Sequence, residues 1–193
     1  TAGTAADTTT DPATPAVPFS VESGKALAVI GDFKVEKDPV VFSGAVSVKA
    51  GTIDNAKVEG TLTVAGNATI SKIVVNGAVS IDAGAAKDAS GNEGKLNVNV
   101  MYIGIAAKDI LVSTGAAASV TGNVTLNNYA LVAPGTTVPE TFTKENSGYK
   151  TTAFYIGDNL YLTAYAVEDT NGYIASVDAH IENARFDGWY NED

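Results

Sequence analysis

Gly44-Ala45-Val46-Ser47-Val48 returns as Gly60-Thr61-Leu62-Thr63-Val64, as Gly77-Ala78-Val79-Ser80-Ile81 and as Gly94-Lys95-Leu96-Asn97-Val98. The pattern is Gly, any residue, Val or Leu, a small polar residue, then Val or Ile. It recurs after 16, 17 and 17 residues. Gly122-Asn123-Val124-Thr125-Leu126 is a later copy, 28 residues on, and Gly31-Asp32-Phe33-Lys34-Val35 an imperfect earlier one. Within each copy the apolar side chains sit two apart and many are β-branched, the period and composition of a half-buried strand. A second apolar pulse follows, at Ile53 and Val58 and again at Ile70, Val74 and Val75. The small residues Ala50-Gly51-Thr52 and Ala65-Gly66-Asn67 separate the pulses. Each unit thus holds two or three short strands joined by tight bends.

A unit of this length is too short for a βαβ crossover, which needs about 30 residues, and suits one turn of a stacked parallel coil. The expected fold is all-β: a short single-stranded parallel β-solenoid (β-helix), then a small antiparallel β-module. Stacking at constant spacing puts Val46, Leu62, Val79 and Leu96 in one interior column and Val48, Val64, Ile81 and Val98 in the next. Ser47, Thr63, Ser80 and Asn97 then form an outward ladder. The alternative is an antiparallel β-sandwich, since short strands with frequent turns fit it too. The even spacing favours the solenoid, because hairpins have no reason to reuse one pentapeptide at fixed intervals. No segment reads as a helix, and the polar stretch 87–93 reads as a protruding loop.

Composition divides the chain in three. Residues 1–18, TAGTAADTTTDPATPAVP, bury too little to offset their ordering entropy and read as a disordered spacer. Residues 19–143 form the expected solenoid. All eight Tyr and the only Trp lie beyond residue 100, and 144–193 reads as a Tyr-rich β-meander or cap. There, Phe154-Tyr155-Ile156 and Leu160-Tyr161-Leu162 flank Gly157-Asp158-Asn159 as a hairpin, and 175–182 alternates strictly between apolar and polar residues.

The chain closes with Phe186-Asp187-Gly188-Trp189-Tyr190. This resembles the Phe-x-Gly-Trp-Tyr core of the Listeria–Bacteroides repeat, the internalin B-type β-grasp repeat of bacterial surface proteins. The resemblance covers about ten residues, and the strands that follow this core in the family are missing. The coils are similar to those of bactofilin-type and adhesin β-helices. Together these resemblances imply a bacterial surface protein whose modules are secreted, non-enzymatic stalk or adhesion units.

The net charge of −10 argues against duplex nucleic acid and anionic membranes, which demand clustered Lys and Arg. No apolar run exceeds five residues, far short of the roughly 20 that span a bilayer. Absence of Cys removes disulfides, thiolate metal sites and a Cys nucleophile. The single His180 lies beside Asp178 and Glu182 on the polar face of 175–182 and reads as a surface residue. Asp88, Ser90 and Asn92 have the spacing that begins a calcium loop, but Glu93 and Asn99 stand where that loop needs Gly and a bidentate Glu. Neither metal nor cofactor is expected. Asp32, Asp54, Asp82 and Asp109 occupy unrelated positions of the repeat, so no acidic pair for glycoside hydrolysis is set by stacking.

The binding candidates are Tyr155, Tyr161 and Tyr165, with Tyr161 and Tyr165 on one strand face and Tyr155 across the hairpin from Tyr161. Such rings stack on sugars or anchor proteins, or else pack the cap onto the last coil. The functional expectation is a non-enzymatic extracellular, structural or adhesive module that contacts a host or cell-wall glycan or another surface protein. Its alternatives are a carbohydrate-binding module using the tyrosines and a fragment of a polysaccharide-degrading β-helix enzyme.

Overall fold

The computed structural model describes residues 20–23, 26–30, 39–81, 94–106, 111–112 and 118–167. The spacer, the loop at 87–93, the alternating segment with His180 and the motif at 186–190 lie outside the described residues. What is described is nearly all strand: β1 (Ser20–Val21), β2 (Ala26–Ile30), β3 (Val40–Phe42), β4 (Ala45–Val58), β5 (Thr61–Val75), β6 (Ala78–Ile81), β7 (Lys95–Ile103), β8 (Ile105–Ala106), β9 (Leu111–Val112), β10 (Ser119–Thr121), β11 (Val124–Val132), β12 (Tyr149–Ile156) and β13 (Asn159–Val167). A four-residue helix, α1 (Glu140–Thr143), stands where sequence gives no helix signal.

All pairings among β1–β7, β10 and β11 are parallel. They fall into three stacks. In the first, Val46 pairs with Leu62, Leu62 with Val79, and Val79 with Val120. In the second, Ile53 pairs with Ile70, Ile70 with Val98, and Val98 with Leu126. In the third, Val40 pairs with Ala56, Ala56 with Ile73, Ile73 with Met101, and Met101 with Ala130. Antiparallel pairing, among the described residues, joins β8 to β9, β13 to β11 and β12 to β13.

The expected columns hold for the first three repeats and fail at the fourth. Leu96 pairs with Ala68 and Val124, and Asn97 with Thr69 and Thr125, so this copy belongs to the second stack. The pentapeptide encodes only a bend followed by an alternating strand, which serves either stack. Residues 82–93 intervene before it, and the interval of 17 residues from Gly77 to Gly94 is a coincidence of length. The missing first-stack copy is Ala118-Ser119-Val120-Thr121, disguised because Ala118 stands where Gly would. The step from 16 to 17 also has a location: Lys49 alone opposes Ala65 and Gly66, a bulge between the first two stacks.

The inward side chains form one apolar cluster, with Val48, Leu62, Val64, Ile70, Ile73 and Leu96 fully buried, and no polar residue is buried among the described residues. The third stack is buried on both faces. Val74, Tyr102 and Leu131 alternate away from Ile73, Met101 and Ala130 into a second cluster with Ile105, Leu162 and Ala164. This explains the continuous apolar triplets 73–75, 101–103 and 130–132. In the second cluster the hydroxyls of Tyr102 and Tyr129 meet at 3.1 Å, and burial, with that hydrogen bond, pushes the Tyr102 phenol well up.

The bend ahead of the first stack fixes the register. Glu59 N and Gly60 N both donate to Phe42 O at 2.9 Å, and one repeat later Asn76 N and Gly77 N donate to Val58 O at 2.8 and 3.0 Å. Thr61 N, Ala78 N and Ser119 N then donate to the carbonyls of Gly44, Gly60 and Gly77. A Cβ on Gly60 would lie 2.4 Å from Gly44 O, and one on Gly77 2.1 Å from Gly60 O. Only glycine admits backbone that close. At the same bend Lys57 Nζ lies 2.6 Å from Glu59 Oε1, and Ser43 Oγ donates to Glu59 Oε2 at 2.8 Å.

Gly60→Ala should therefore lower unfolding free energy by at least about 2 kcal/mol, as overpacking against fixed backbone does. Urea denaturation checks this, and a loss under about 0.5 kcal/mol, the scale of an ordinary surface change, would contradict it. The hydrogen bond from Lys57, then that from Ser43, holds the Glu59 carboxyl below its ordinary 4.5. Since the folded value is the lower one, the contribution is present above pH 4.5 and fades as pH falls below it. Both partners are over a third exposed, at 36% and 42%, so Glu59→Gln should cost less than about 1 kcal/mol at neutral pH. Melting curves of the two proteins should converge in acid, once the carboxyl is protonated in the folded as well as the unfolded state.

Candidate functional site

A stack of parallel strands ends in a row of unpaired backbone groups, and residues 137–167 occupy that end. The first stack closes on Thr137, which bridges Ser119: Val120 N donates to Thr137 O at 2.9 Å and Thr137 N to Ala118 O at 3.1 Å. The second closes on side chains. Thr141 Oγ1 donates to Val124 O at 3.0 Å, and Leu126 N donates to the Tyr149 hydroxyl at 2.9 Å. The third closes on β13, which pairs antiparallel with β11 from Tyr129↔Ala166 to Val132↔Thr163. Sheet edges left open invite unwanted pairing, and three different devices cover these.

The same residues build an aromatic knot. Phe142 of α1 is 1% exposed, and its ring lies 5.5 Å from those of both Tyr149 and Tyr165. Thr151 and Tyr165 are partners across the hairpin, so Tyr149, Thr151 and Tyr165 face one side. Beside the knot opens a cleft of about 630 Å³. Its walls are residues 142–144, the bend 146–148, Tyr149–Thr151 and Tyr165. The bend carries left-handed backbone at Asn146 (φ 62°) and Gly148 (φ 79°), which turns the chain from α1 into β12. Burial raises the Tyr165 phenol above its ordinary value.

The three tyrosines do not share one face as expected. Tyr165 is buried at 9% exposure in the knot and the main cluster. Tyr161 is half-buried and packs, with Phe154, on the second cluster. Tyr155 is 55% exposed, and its cross-strand partner is Leu160 rather than Tyr161. A bulge between Phe154 and Tyr155, which pair with Leu162 and Leu160, shifts the expected register by one. Sequence reading missed Phe142 and Tyr149, the residues that organise the end. The only signal was the spacing of aromatics in 142–165, which does not distinguish cap from contact surface.

Among the described residues no group of three or more His, Cys, Asp or Glu is placed to hold a metal ion, and no helix is long and apolar enough to cross a membrane. Comparison with known proteins found no matching family model, no similar curated protein and no similar solved structure.

Two substitutions separate cap from surface. Tyr149→Phe leaves Leu126 N without its acceptor and should cost about 1–3 kcal/mol. Tyr155→Ala should stay within about 0.5 kcal/mol of the parent. Paired denaturation curves read both, and equal losses would contradict this assignment.

Proposed function

We propose that the chain is a short three-sided parallel β-solenoid, capped at its C-terminal end, that serves as a non-enzymatic extracellular structural or adhesive module of a surface protein. The observation carrying this reading is the run of parallel pairings between residues 16–17 apart along β4 and β5, with the one bulge at Lys49. Each repeat buries its apolar side against the next, so stiffness accumulates along one axis. Six strands follow one another in the third stack, a rise of roughly 24 Å at about 4.8 Å per step. That is a spacer with two distinct ends. The leading segment 1–18 suits a tether, and the ending at 186–190, with its resemblance to the internalin B-type repeat, favours a cell surface. Contact then falls to the far end, where the hairpin leaves Tyr155 and Leu160 exposed beside each other.

Orientation tests it. Beads bearing the chain through its N-terminus should adhere to surfaces coated with cell-wall or matrix material, and beads bearing it through its C-terminus should not. Equal adhesion in both orientations would refute contact through the capped end. Release of reducing ends or unsaturated sugars from polysaccharide by the chain would replace this reading with an enzymatic one.

A further inference from the structure

We infer that the cleft between α1 and β12 is a saccharide-binding site, with the Tyr165 hydroxyl as its fixed donor. The inference rests on the reading that the capped end makes the contact, and it names the chemistry of that contact. Tyr165 is nine-tenths buried, yet among the described residues its hydroxyl has no hydrogen-bond partner, and it lies in the cleft wall. The burial is that of the ring; the hydroxyl itself opens on the cleft, where a ligand rather than the protein supplies its partner. Its ring is wedged against Phe142, so the donor is held in place before any ligand arrives.

The rest of the wall matches a polyhydroxylated guest. Thr143, Asn146, Ser147 and Thr151 bring hydroxyl and amide groups, and Tyr149 a half-buried ring with its oxygen fixed by Leu126 N. Lys144 and Lys150 are the charged residues of the wall, and alternation along β12 points the Lys150 side chain away from those of Tyr149 and Thr151. The volume lies within the roughly 300–1,000 Å³ of small-ligand sites. A peptide partner fits less well, because Phe142, the buried ring at the base of the wall, is only 1% exposed and offers little apolar surface to an anchor. Nucleic acid fits worse, given only two lysines in the wall of a protein of charge −10.

The test uses the full chain on a broad array of neutral and acidic oligosaccharides, followed by calorimetric titration of the best binder. Binding should weaken about tenfold in Tyr165→Phe, which keeps the ring and removes one well-placed hydrogen bond. Glu22→Gln, exposed at the opposite end of the stack, should bind as the parent does. Weakening by Lys144→Gln and by salt identifies an acidic sugar, and indifference to both a neutral one; either outcome supports the site. No binding on the array, or binding unchanged in a folded Tyr165→Phe protein, overturns the inference. Orientation-dependent bead adhesion to protein-coated surfaces would then still leave the spacer reading standing.

Discussion

A carbonyl oxygen occupies the space where a side chain would begin. Gly44, Gly60 and Gly77 lie directly over one another, each close enough to the next that a methyl group would strike backbone. Two amides of each bend converge on one carbonyl below, and each glycine carbonyl receives the first amide of the strand above. This ladder sets which residue of one repeat faces which residue of the next. Once it is fixed, alternation decides the interior, and a slip of one residue would turn Val46, Leu62 and Val79 outward. The small interior side chains, rich in Val and Ala, follow from the narrow space such bends enclose.

The second constraint is that a stack must end. Each of the three stacks ends differently, by a bridge at Thr137, by the hydroxyls of Thr141 and Tyr149, and by the antiparallel strand β13. The change of composition beyond residue 100 is the chemical record of this change of task. Repeats need β-branched and small residues; an end needs rings with hydroxyls that fill space and satisfy backbone together. The cap also generates the cleft, since the bend from α1 to β12 cannot follow the strands beneath it.

How much of this was legible follows from what each signal encodes. The pentapeptide spoke directly of strand period and of a bend at its glycine, so the pairings of Val46, Leu62 and Val79 could be read in advance. It carried no label for which stack it belonged to, and Leu96 and Val98 were therefore placed one stack away from where they sit. Ala118 broke the pattern and hid a true first-stack copy. The apolar triplets were visible, but their burial on both faces depends on Leu162 and Ala164, distant partners that no local pattern announces. The tyrosines were conspicuous; their roles depended on a bulge at Phe154 and on Phe142, an aromatic in a four-residue helix.

The register of the fourth repeat is where constant spacing and stacking by side chain disagree, and cysteine pairing decides between them in a chain with no cysteine of its own. Thr69 and Asn97 face each other across adjacent parallel strands and are both half-buried on the outward side. A protein carrying Thr69→Cys and Asn97→Cys should oxidise to an intramolecular disulfide without loss of stability, since facing positions meet the Cα separation of about 4.4–6.8 Å that the bond requires. A protein carrying Ser80→Cys and Asn97→Cys, the pair that unbroken 17-residue spacing would bring together, should remain reduced under the same conditions. Crosslinking of the second pair and not the first would contradict the stack assignment, and with it the account of how this chain is built.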